Sequence, residues 1–281
     1  MTVQDTMSAA VFAGFVAIAV TLLIEKYGGA IGGILGTIPT TIVPAAAGIA
    51  LASNNSDLNT SLAIVPAGML INGLFLVNWR ILPTYFNNTE KIYTTLIIIT
   101  LISLSLWSLC GLIILKIIQI SYDSSLSSFQ IGLIGQIFLT ILGVIMSWRI
   151  GSTPRGKNKV NKYVLLSRGI MAAIAIGVAV WISGLGYPLL AGLASVFPAI
   201  FLTSMVALWI SQGPSVPMGA AGPMILGGAS VGVYAIIAMW SLPNFGIFLG
   251  SMIAWLLAVI LWSIPCFKFV KWRQEVSKIN T

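Results

Sequence analysis

The sequence predicts an all-α transmembrane protein of about nine spans, built as two four-helix units of inverted topology joined by a central helix. Three observations carry this expectation: apolar runs of about 20 residues, a one-sided distribution of Lys and Arg, and two halves that resemble each other. The first unit covers residues 1–120, a linker helix with a basic loop covers 121–165, and the second unit with a basic tail covers 166–281.

Of the 281 residues, 58% are hydrophobic and 7% charged, with mean hydropathy +1.03. Soluble domains carry roughly 25% charged residues, so a water-soluble fold is excluded. A transmembrane β-barrel would alternate apolar and polar residues in segments of about ten, and no such pattern is present.

The apolar runs occupy residues 8–25, 29–52, 61–82, 92–118, 129–148, 166–185, 188–211, 218–240 and 244–267. Each is near the length at which a helix crosses a hydrocarbon layer roughly 30 Å thick. The stretch from Met1 to Met7 has Asp5 and no basic residue, so it lacks a signal peptide's positive region and the first run is expected to remain as a span.

Orientation follows from the basic residues. If the segment after the fifth run is cytoplasmic, Lys26, Arg80, Lys91, Arg149, Arg155, Lys157, Lys159, Lys162, Arg168, Lys268, Lys271, Arg273 and Lys278 all lie inside. Lys116 alone falls outside. The expected placement is a multi-pass inner cell membrane, with the N-terminus outside and the C-terminus cytoplasmic. The net charge of +8 could also suit nucleic acid, but the basic residues flank apolar runs, so nucleic acid is not an expected partner.

The halves align through their rarer residues. In the second and seventh runs Gly33 meets Gly192, Pro39 meets Pro198 and Gly36 meets Ser195, while Gly32 meets Ala191. Trp79, Leu82 and Pro83 meet Trp240, Leu242 and Pro243, and the Leu-Trp-Ser-Leu-Cys stretch ending at Cys110 meets Leu-Trp-Ser-Ile-Pro-Cys ending at Cys266. A single helix between two four-helix units makes the second unit enter the membrane from the opposite side. The segment Leu190 to Leu208, and more weakly Ile34 to Gly48, resembles the GlpM family of small bacterial inner-membrane proteins. The resemblance implies a four-helix unit, here duplicated as an inverted pair, and no functional residue.

Pro39 and Pro198 fall within apolar runs, where a proline removes a backbone hydrogen bond that lipid cannot replace. Interrupted helices at matching places in two halves point to a binding site near the midplane. The expected pathway residues are Thr37, Pro39, Thr40, Thr41, Asn72, Pro198, Thr203 and Ser204, whose hydroxyls and amide could meet a solute. Pro66 with Gly68, and Gly222 with Pro223, predict a second pair of interrupted helices. The small residues Gly32, Gly33, Gly36, Gly192 and Ser195 are expected to pack helices closely. Glu25 stands where a carboxylate could face a cavity mouth, and the nine tryptophans are read as interfacial anchors.

The chain has no histidine and six acidic residues, so neither a transition-metal site nor a Ser-His-Asp arrangement is expected, and no cofactor. The reading is a transporter or facilitator of a small neutral or weakly polar solute, and not an enzyme. The alternatives are a non-transporting scaffold or accessory subunit of an envelope pathway and, less favoured, a lipid-modifying enzyme. The bilayer and a small solute are the expected partners, and homo-oligomerisation is compatible with the sequence.

Overall fold

A computed structural model describes residues 3–27, 38–86, 92–148 and 162–279. Gly32, Gly33, Gly36 and Thr37 lie outside the described residues, as does the side chain of Glu25. All regular structure among the described residues is helical. The helices are α1 (Val3–Tyr27), α2 (Ile42–Ala52), α3 (Asn55–Ala63), α4 (Val65–Ile81), α5 (Ile92–Asp123), α6 (Ser128–Trp148), α7 (Lys162–Gly184), α8 (Pro188–Ser195), α9 (Ala199–Gln212), α10 (Ser215–Ala258) and α11 (Ile264–Ile279).

Among the described residues, six stretches are long and apolar enough to cross a membrane: Asn55–Tyr85, Ile92–Asp123, Ser128–Trp148, Lys162–Gly184, Pro188–Ile210 and Ser215–Ser277. The count falls short of the nine expected. The first two runs contribute only the shorter apolar stretches Thr6–Ala19 and Ile42–Ala52, and the last two expected runs join into one stretch of 63 residues. At 1.5 Å per residue that stretch would reach about 95 Å if straight, three times the apolar layer. It is not straight, because Gly246 has φ 74° and ψ 172°, just after Pro243. Only glycine takes that backbone conformation without strain.

Exposure supports a lipid surroundings. Leu101, Leu109, Leu112, Ile113 and Ile120 of α5 are all at least half exposed, an apolar surface that water would penalise and acyl chains accommodate. The side chains of Trp79, Tyr234, Phe75, Leu139 and Met205 are fully buried. Helix α6 packs between α4 and α10. Glycines set that approach, since a Cβ on Gly135 would lie 2.8 Å from the Ala67 nitrogen and one on Gly143 2.9 Å from the Leu226 Cα. Helices in lipid gain little from hydrophobic exclusion, so close backbone contact at small residues is a principal source of cohesion.

The last turn of α6 is held by two arginines. Arg80, in the last turn of α4, donates to the Met146 carbonyl. Arg273 of α11 donates through Nε and Nη2 to the Trp148 carbonyl at 2.9 and 2.6 Å. A helix C-terminus exposes unpaired carbonyls and the negative end of its dipole, which cations satisfy.

The second expected pair of interrupted helices is only half present. The third run divides at Ile64, with Pro66 in the first turn of α4, whereas α10 continues through Pro223. Near the chain end a π turn, Val259–Ser263, precedes Pro265. The aligned segment ending at Cys110 is one residue shorter and lies within the unbroken α5. A π turn accommodates one extra residue without leaving the helix axis.

Candidate functional site

Pro39 and Pro198 each stand in a turn closed by the same kind of backbone hydrogen bond. Around Pro39, the Thr40 N–H donates to the Ile38 carbonyl at 2.9 Å; around Pro198, the Ala199 N–H donates to the Phe197 carbonyl at 2.7 Å. Each is a three-residue turn with proline at its centre, whose ring supplies the required negative φ. The helical residues resume at Ile42 in α2 and at Ala199 in α9. In the seventh run the break is fully described: α8 ends at Ser195, and Val196 and Phe197 donate back to Leu193 and Ala194 at 3.2 and 3.1 Å. Those bonds leave the Val196 carbonyl facing out of the helical ladder.

Asn72 meets that carbonyl. Its Nδ2 donates to Val196 O at 2.8 Å, and the Trp107 indole donates to its Oδ1 at 2.7 Å. Asn72 is 2% exposed. The Trp107 ring lies edge-on to Phe197, with centroids 5.2 Å apart. Helices α4 and α5 thus brace the break from two sides, and a carbonyl that would cost several kcal/mol unpaired in lipid is satisfied. Gly68, one turn before Asn72, admits the Val196 side chain, whose Cγ2 would lie 2.5 Å from a Cβ there.

The expected hydroxyls are placed differently from a solute-facing row. Thr203 donates to Ala199 O at 2.8 Å and Ser204 to Ile200 O at 2.6 Å, both within α9. Ser204 also accepts from Arg168 Nη2 of α7 at 3.0 Å. Thr40 and Thr41 are half-buried, and Thr41 caps α2 by position without a side-chain hydrogen bond. Gly192 packs against α3, where a Cβ would land on the Ser61 carbonyl oxygen, and Ser195 donates to Gly192 O at 2.6 Å.

Several participants escaped the sequence reading. Trp107 is half-buried and stands mid-helix, and Trp79 and Trp209 are buried and packed edge to face at 6.0 Å, so these three pack against protein rather than serving as belt anchors. Trp262, aligned with Trp107, donates to the Leu226 carbonyl of α10 at 2.9 Å. Gln136 of α6 donates to Ala229 O at 3.2 Å and is 6% exposed, while its Oε1 has no hydrogen-bond partner among the described residues. An amide in the middle of an apolar run was a visible signal for Gln136, as it was for Asn72. Resemblance between halves is not uniform: Trp79 is fully buried, whereas Trp240 is 54% exposed.

Fold and site together define a helical protein embedded in a membrane. No family model, curated protein or solved structure matches the chain.

Proposed function

We propose that the chain is a transporter or facilitator for a small neutral or weakly polar solute, with a pathway between two inverted four-helix repeats. The observation that carries this reading is the pair of proline-centred turns at Pro39 and Pro198, alike in hydrogen bonding and aligned between the halves. A duplicated unit that retains an interruption costly in lipid has a use for it beyond packing. Two further relations support the repeat. Helix α1 packs on α7 and α4 on α10, the pairs that exchange of the halves would map onto themselves. The aligned residues Trp107 and Trp262 each donate an indole N–H to the run that precedes their own, to the Asn72 side chain and the Leu226 carbonyl respectively.

In this reading the stretch Ser215–Ser277 crosses twice, turning at Gly246, and the first two runs complete nine crossings. The Lys and Arg asymmetry then sets the C-terminus in the cytoplasm of an inner-membrane protein. The four-helix unit is the one its resemblance to the GlpM family implies. Thr40 and Thr41 line the first-half part of the pathway; Thr203 and Ser204, whose hydroxyls bond within α9, stand beside the second-half part, and Asn72 holds the break without meeting solute.

The engaged state of Asn72, Thr203 and Ser204 favours a second reading, a scaffold or accessory subunit in which the breaks shape a docking surface. Flux of radiolabelled or osmotically active neutral solutes into proteoliposomes separates the two. Uptake above protein-free vesicles that falls with Pro39→Ala and Pro198→Ala supports transport; no uptake across a broad solute panel by well-folded protein removes it.

A further inference from the structure

Among the described residues, the cations near the α6 C-terminus include two that are occupied and two that are not. Arg80 and Arg273 bind α6 carbonyls, and Arg273 also lies 4.6 Å over the Trp148 ring and 5.1 Å over Trp272. Lys268 and Lys271, one turn apart on α11, are exposed and have no partner among the described residues. Trp272 beside them is 49% exposed.

Depth decides what such a pair can meet. Helical structure runs on from Ile247, past the break at Gly246, and roughly 20 residues are needed to cross the apolar layer. If a second crossing starts there, as the proposed topology has it, Lys268 emerges at the level of the lipid headgroups, and Lys271 and Trp272 one turn later. The opposite side of α11 is fixed against α6 through Arg273 and the Phe269–Trp148 contact at 6.3 Å between centroids, so the two ammonium groups are presented outward on a held helix. Glu275 is exposed one turn beyond Lys271 on the same face.

We propose that Lys268 and Lys271 clamp the phosphate of an anionic phospholipid, with the Trp272 ring at the level of its glycerol backbone. Two ammonium donors match one phosphate diester, and an indole favours that depth. This assignment is independent of whether the chain transports.

The test uses the full chain in nonionic detergent, titrated with phosphatidylglycerol, with phosphatidylcholine of the same acyl chains, and with inorganic phosphate, while lipid retention is followed by native mass spectrometry. Phosphatidylglycerol should be retained in preference to phosphatidylcholine. Lys268→Gln/Lys271→Gln should weaken it about thirtyfold, given roughly a fivefold contribution per lysine at an anionic surface, and Lys268→Arg/Lys271→Arg should keep most of it. Equal retention of the two lipids, undiminished retention by the glutamine variant, or displacement of lipid by inorganic phosphate at comparable concentration would each overturn the assignment.

Discussion

The side-chain amide of Asn72 donates to the backbone carbonyl of Val196 at 2.8 Å, joining residues 124 positions apart in sequence. That bond ties the middle of α4 to the point where the α8–α9 segment leaves helical geometry. With the Trp107 indole on its other end, Asn72 uses both of its amide groups.

Replacing Asn72 with Leu should leave the Val196 carbonyl and the Trp107 N–H unpaired. A loss of about 1–3 kcal/mol follows from the desolvation of two buried groups, somewhat reduced if the membrane-unfolded state finds partners. Thermal unfolding in detergent, read by tryptophan fluorescence, should show the drop. Unchanged stability would mean the brace does not hold the break.

Gly192→Ala places a methyl group on the Ser61 carbonyl, and backbone cannot move aside as a flexible side chain would. The α3–α8 crossing should open at a cost of about 1–3 kcal/mol or more. Gly111→Ala meets only the Leu193 Cδ2 at 3.1 Å and should be nearly neutral. Comparing the yield of monodisperse protein for the two variants checks the contrast.

Arg273→Gln removes two hydrogen bonds to Trp148 O and a cation from the α6 C-terminus. The expected loss is about 0.3–1 kcal/mol at this exposed position, diminishing with salt. Arg80→Gln, which uncaps Met146 from a half-buried position, should cost more. Unfolding midpoints at low and high ionic strength separate the electrostatic part; equal losses at both would assign the effect to packing.

Gly246 turns the chain with φ 74°. Gly246→Ala should destabilise by about 1–3 kcal/mol, and Gly246→Asn by about as much, because ψ 172° lies outside the left-handed helical region that asparagine tolerates. A greater loss for asparagine than for alanine would show that space, rather than backbone strain, limits this position.

Much of this protein was legible in residue chemistry alone. Runs of apolar residues near 20 long specify helices in lipid, because no other local structure satisfies the backbone there. Pro39 and Pro198 could be named as interruptions for the same reason, since proline removes a donor wherever it stands. Asn72 stood out as an amide deep in an apolar run. These properties belong to single residues or to their near neighbours.

The partners did not follow from the same reasoning. That Asn72 meets Val196, that Trp107 serves the site rather than the interface, and that α10 passes through Pro223 yet turns at Gly246 depend on which helices lie together. In a sequence where nearly every face is apolar, hydropathy says that a helix is in the membrane but not which side it shows to protein. Only close approach at residues such as Gly135, Gly143 and Gly192 selects neighbours, and such steric fit is a property of pairs of surfaces, invisible until the chain has folded.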